Sequence, residues 1–369
     1  MQHGAKFLLF LTAILLLQSC DDLRRITDNV FDTNERAVYE RRYRGADSLL
    51  LAWKSAYDQA LETQLQIPDN YTASVNYTAR QLHPMAYNIT LRRGDEIYID
   101  AQHSMPDQRI FVDFIEQKEF GFTPKSQLLK NNRYTQPVRA DGDYTIIIQP
   151  EIAFQGAIQL QIYTQPSLSF PVVGKGNRDI HSFWGVDRDG GARRHEGVDV
   201  FAARGTPVVA AADGIVTRTR DQGRGGKQVW QRHGDLGFSI YYAHLDSIYA
   251  QSGQRVRTGD TLGTVGNTGN AINTPPHLHF GIYSTGGATD PYPFIRQRSV
   301  PKFTPTDFST DQHILSGSNI RTGPETTYPI IHQVAERTPV QVLAASGNWR
   351  HIITPQGLHA FISQSRLEE

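Results

Sequence analysis

From about Tyr71 to Gln165 apolar residues fall at every second position, and this period most constrains the fold. The sets are Tyr87, Ile89, Leu91; Ile97, Ile99; Ile110, Val112, Phe114; Tyr144, Ile146, Ile148; and Ile158, Leu160, Ile162. Successive side chains of a strand point to opposite faces, so each set predicts a strand with one face buried. Arg93-Gly94-Asp95 and Asp141-Gly142-Asp143 punctuate the runs as turns. The pattern predicts an antiparallel β-sandwich with no catalytic constellation of its own. His83 and His103 read there as turn or surface residues.

Ahead of the alternation, Ala46, Leu49, Leu50, Trp53, Ala56, Tyr57, Ala60 and Leu61 recur with the spacing of an amphipathic helix. Asp32 followed by Glu35 reads as a capping box, and Pro68 follows the end. One long helix is expected over Glu35 to Gln64, with Gly45 as its one weak point.

The chain of 369 residues has room for several domains. Its formal net charge of +0 gives no support to nucleic-acid binding. Lys6, the apolar run Phe7 to Leu17 and then Leu17-Gln18-Ser19-Cys20 read as a targeting segment too short to span a bilayer. That ending looks like a bacterial lipobox, which implies cleavage before Cys20 and a lipid on it. Because Cys20 is the only cysteine, no intramolecular disulfide can form.

The expected organisation is a lipoprotein signal peptide at 1–19, a tether at 20–34, and a helix with a β-sandwich at 35–165. An antiparallel β domain at 166–298, a linker at 299–310 and a small β-barrel at 311–369 follow. The barrel is read from short strands around Asn319-Ile320-Arg321-Thr322-Gly323-Pro324, Val340 to Leu343, Trp349 and His359 to Ile362. Five or six strands are expected in it.

The chemistry concentrates in the central block. On a strand, His277 and His279 of Pro276-His277-Leu278-His279-Phe280 face the same way, while Leu278 and Phe280 face the core. A hydrolytic zinc site takes three protein ligands and leaves a position for water. Arg194-His195-Glu196-Gly197-Val198-Asp199 offers an imidazole and a carboxylate, so His195, Asp199 and one histidine of the pair complete such a set. Ile240-Tyr241-Tyr242-Ala243-His244-Leu245-Asp246 brings a further histidine on an alternating strand. Glu196 reads as a bystander, because Gly197 and Val198 suit strand entry rather than an H-E-x-x-H helix. His233 reads as a turn residue, and His181, Phe183 and Trp184 as candidates for a groove wall.

Taken with Gly205-Thr206-Pro207-Val208, His233-Gly234-Asp235, Gly259-Asp260-Thr261-Leu262-Gly263 and Gly266-Asn267-Thr268-Gly269, these segments resemble the lysostaphin- and LytM-type zinc endopeptidases that cut peptidoglycan peptides. The likeness covers about Phe170 to Ile295. It implies one Zn²⁺ held by His195, Asp199 and His279, with His244 and His277 beside the metal to move protons and steady the oxyanion. It also implies peptidoglycan as partner and, with Cys20, a lipid-anchored place in the bacterial cell envelope. A non-catalytic activator of other hydrolases and a D,D-dipeptidase or carboxypeptidase are the competing readings. Ala271-Ile272-Asn273-Thr274-Pro275 lengthens the loop before the histidines relative to the usual pattern. The last domain resembles bacterial SH3-type modules, which are associated with wall binding.

Overall fold

A computed structural model describes residues 34–369 apart from 79–80, 106, 118–125, 153 and 235–236. Cys20, the signal segment, the tether up to 33 and Asp32 lie outside the described residues. No described helix is long and apolar enough to cross a membrane.

The expected helix is interrupted around Gly45, giving Glu35–Arg42 and Asp47–Ala60 separated by extended backbone at Tyr43 and Ala46. The observed N-cap of the first is Asn34, whose side chain accepts from the Ala37 N–H at 2.9 Å. Arg36 anchors this helix from a buried position. Its guanidinium meets Asp113 at 2.8 Å and Ser126 Oγ at 2.9 Å and lies 3.9 Å from the Tyr57 ring centroid. Trp53 and Tyr57 of the second helix pack with Phe111 and Ile147 on the strands beneath, so the helix pair covers the outer face of a sheet.

That sheet is the four-stranded half of the expected sandwich, ordered Met85–Leu91, Gly142–Pro150, Ile110–Glu116, Gln127–Leu128. The other half contains Asn70–Tyr77, Gly156–Pro166, Asp95–Gln102 and Arg133–Pro137. Tyr87, Ile89, Ile97, Ile99, Ile146 and Ile162 meet between the halves, as the alternation predicts.

The barrel does not stand apart from the sandwich. Ser74 and Val75 pair antiparallel with Ala345 and Ala344, and the two domains become one eleven-stranded sheet of described residues. Phe361, Leu343 and Ile353 join the sandwich core. Seven short strands, from Asp311–Ile314 to Leu367–Glu368, make up the barrel, one or two more than expected. His83 and His103 are not simple surface residues either. His83 packs edge-on against His359 with centroids 5.6 Å apart, and His103 packs edge-on against Phe154 at 5.4 Å.

The central block has its own core, with Val198, Val200, Tyr242, Leu278, Phe280 and Ile282 fully buried, around a ten-stranded sheet of described residues. It is fixed to the sandwich at both of its ends. Arg298 reaches Asp95 Oδ1 at 2.6 Å and Thr164 Oγ1 at 2.8 Å, and the Ser167 N–H donates to Gly94 O at 2.9 Å. A Cβ on Gly94 would come within 2.8 Å of the Phe294 ring, so this contact requires glycine. Residues 299–310 form a docked strap. Pro301 O accepts from Gln161 Nε2 at 2.8 Å, and the Thr306 N–H donates to Ser74 Oγ at 2.9 Å.

Candidate metal centre

Strand register brings the first two site residues together. Val198–Phe201 pairs antiparallel with His277–Ser284 so that Asp199 lies opposite His279 and Phe201 opposite His277. Directly opposed residues share a face, so the carboxylate and the imidazole meet without help from a loop. His195 enters from the adjoining segment, pinned by backbone bonds from its N–H to Val186 O and from the Gly185 N–H to its carbonyl. His195 Nε2, Asp199 Oδ1 and His279 Nδ1 then form a triangle with every edge 3.0 Å.

The triangle fits zinc. Ligand bonds of about 2.0–2.1 Å at tetrahedral angles place donor atoms roughly 3.3 Å apart. The chemistry of His195 agrees. Its Nδ1 lies 2.9 Å from Phe183 O, which can only accept, so Nδ1 carries a proton and, in the neutral form of the ring, Nε2 is bare. That lone pair faces a carboxylate oxygen, an arrangement a cation between them would relieve. Burial pushes the Asp199 carboxyl up, but the adjoining His195 and His279 imidazoles outweigh it and hold the group well below the carboxylate range. Burial lowers the His279 imidazole, favouring the neutral form a metal requires. Among the described residues no other group of three or more such side chains could hold a metal ion.

His244 and His277 stand beside this triangle, their ring centroids 5.1 Å apart, with His244 5.8 Å from His279. Strict alternation would turn His244 away, because its neighbour Ala243 is the residue opposite His279. A register shift against the next strand and a φ of +61° at His244 break the alternation. Tyr242 and Leu245 both stay in the core while the imidazole between them enters the groove. A left-handed non-glycine residue costs on the order of 1–3 kcal/mol, and such strain clusters at functional sites.

Backbone carbonyls fix both rings. His244 Nδ1 donates to Thr268 O and His277 Nδ1 to Pro275 O, each at 2.9 Å, so in the neutral rings the Nε2 atoms are bare. Burial first, then the neighbouring His279 and His277, lowers the His244 pKa to about 4. Phe201 stacks between His277 and His181, with centroids 5.0 Å apart on each side. His181 therefore supports His277 through Phe201.

Several groove residues carry no periodic signal and were invisible in the sequence. Arg188 Nη2 donates to Asp199 Oδ2 at 2.7 Å and to Ser182 Oγ at 2.6 Å. Ser182 Oγ in turn lies 3.2 Å from His195 Nδ1. One guanidinium thus braces two members of the triangle. Tyr241 lines the wall 5.8 Å from the His279 ring, and burial raises its pKa to about 12, so its hydroxyl stays protonated. Gly225 must be glycine because a Cβ would lie 1.9 Å from that hydroxyl. Glu196 lines the groove beside Tyr283 and outside the triangle, and His233 ends a strand near Phe238. Phe183 contributes its carbonyl, while its ring packs on Tyr292.

The groove has a volume of about 610 Å³, and every described lining residue falls between Ser182 and Tyr283. Among the described residues, neither the helices nor the sandwich contribute to its lining.

His195, Asp199 and His279 together could hold a single metal ion on this antiparallel sheet. Residues 193–291 match the model of peptidase family M23, and residues 316–369 match that of the bacterial SH3 domain. An L-Ala–D-Glu endopeptidase of Bacillus subtilis is 36% identical over 141 residues, covering 35% of this chain and 43% of that protein. The peptidoglycan DD-endopeptidase ShyC of Vibrio cholerae is 37% identical over 97 residues, 26% of this chain and 22% of that one. The chain thus spans less than half the length of these curated relatives. The solved catalytic domain of lysostaphin from Staphylococcus simulans is 30% identical, with 34% of this chain and 90% of that one covered at a TM-score of 0.28.

Proposed function

We propose that the chain is a zinc-dependent endopeptidase that hydrolyses amide bonds in peptidoglycan stem or cross-link peptides. The observation that carries this is the 3.0 Å triangle of His195, Asp199 and His279 with two further imidazoles pointing bare Nε2 atoms into the same groove. Bound there, one zinc ion would polarise the scissile carbonyl and lower the pKa of a water to about 7. His195, Asp199 and His279 would hold the ion, and Arg188 orients Asp199 through its second oxygen. One of His244 and His277 accepts the proton of the attacking water at Nε2 and returns it to the leaving amine. The other, once protonated at Nε2, donates a hydrogen bond to the oxyanion. The presence of all five side chains disfavours a role confined to activating other hydrolases.

The chain works at the cell envelope, held by a lipid on Cys20, and its barrel adds contact with the wall. The lipobox-like run ending at Cys20 and the match to the bacterial SH3 domain support this placement. Purified sacculi incubated with the full chain should release peptide-containing fragments, identifiable by mass spectrometry, and chelator should abolish the release. Undiminished release with chelator overturns the metal-dependent reading. Mass analysis of the mature N-terminus should find a lipid on Cys20; cleavage elsewhere refutes the anchor.

A further inference from the structure

The groove is more basic than the chain that contains it. Four arginines, Arg188, Arg193, Arg194 and Arg224, line it against two carboxylates, Glu196 and Asp199, in a protein of formal net charge +0. A bound divalent cation would add to this excess. These arginines come from two separate elements. Three belong to the hairpin of Asp187–Arg188 and Arg193–Arg194 that precedes His195, and the fourth to the turn between Gly214–Asp221 and Lys227–His233.

Their commitments differ. Arg188 is spent on Asp199 and Ser182. Arg194 pairs with Asp187 at 2.7 Å and donates to Gly185 O at 3.2 Å. Arg224 is exposed, and among the described residues its guanidinium has no partner. The Arg224 backbone is nonetheless fixed, with its carbonyl accepting from the Asn270 N–H at 3.0 Å. The next residue, Gly225, accepts from the His244 N–H at 2.9 Å. An uncommitted guanidinium on a backbone tied to the His244 strand is placed to meet an anion close to the reacting bond, and its planar fork matches a carboxylate.

Building on the peptidase reading above, we propose that the groove selects acidic peptides, with Arg224 engaging a free carboxylate on the substrate beside the scissile amide. Amidation of that carboxylate removes the charge and half of the acceptor pair, and the fit is lost.

The test uses the full zinc-loaded chain and two synthetic cross-link peptides that differ only in having their carboxylates free or amidated. The free acid should be favoured about tenfold in kcat/KM, chiefly through KM, the weight of one charge-assisted hydrogen bond. Raising the salt to about 1 M should shrink this ratio. Arg224→Gln should bring the ratio to about twofold or less, Arg224→Lys should keep most of it, and Arg224→Glu should reverse it. Dissociation constants of both peptides for the zinc-loaded His244→Ala chain should follow the same order. Equal values for the two peptides, or a preference that survives Arg224→Gln, overturn the proposal. Should neither peptide be cleaved, the endopeptidase reading fails by itself, and the two dissociation constants still decide the question of acidic selection.

Discussion

Among the described residues histidines gather at two places, and only one of these gatherings could hold a metal. In the groove, His195 and His279 converge on Asp199, while His195, His244 and His277 each give their Nδ1 proton to a backbone carbonyl. At the seam between sandwich and barrel, His351 is fully buried with both ring nitrogens occupied, by Tyr87 OH at 3.1 Å and by His359 Nδ1 at 3.0 Å. His83 completes that group through ring contact alone. No carboxylate is among the described partners of the seam histidines. The comparison teaches that imidazoles become candidate ligands when an anion shares their focus. Without it they serve as packing that acid can disturb.

The largest test of this contrast is His279→Ala, which should eliminate bound zinc by elemental analysis and reduce sacculus hydrolysis to background. His351→Ala should leave metal content unchanged; zinc loss there would erase the distinction. Next, His244→Ala should keep the metal and lower kcat by about 10²–10⁴, the usual weight of a proton-transfer group. Normal turnover would remove His244 from the mechanism. Arg188→Met should weaken zinc about 10–100-fold in chelator competition, as outer-shell substitutions do, with an unchanged melting temperature. Unaltered affinity would reduce Arg188 to a surface clamp.

The seam makes the smallest prediction, and it concerns stability. Burial lowers the pKa of His83, of His359 to about 4, and of His351 well below the usual value. The unfolded chain therefore binds more protons than the folded one below about pH 6.5. Stability is complete above that pH and is lost progressively as the pH falls toward about 4, by a few kcal/mol in all. Denaturant titrations followed by tryptophan fluorescence should show the decline, and a flat profile would break the comparison from the seam side.

What the sequence disclosed depended on range. Alternation located the sandwich strands because burial of one face leaves a period of two in any short window, as in Tyr87, Ile89 and Leu91. The same spacing put His277 and His279 on one strand. The bulge at His244 could not be read, since its left-handed backbone answers to neighbouring strands rather than to its own residues. Arg188 sits on a two-residue strand, too short to show any period. The break between the helices, at Tyr43 to Ala46, was marked by Gly45 while the apolar spacing alone suggested continuity.

Pairing of Ser74 and Val75 with Ala345 and Ala344 has a consequence for synthesis and for dissection. The ribosome must release almost the entire polypeptide before that edge can be closed, whereas the peptidase core draws only on residues between Leu168 and Ile295. Hydrolytic machinery can thus assemble while its platform still waits for the last fifty or so residues. Cutting the chain near 305 would strip a platform strand of its neighbour, so failed wall attachment by such a fragment would report a damaged scaffold as readily as a missing adhesive.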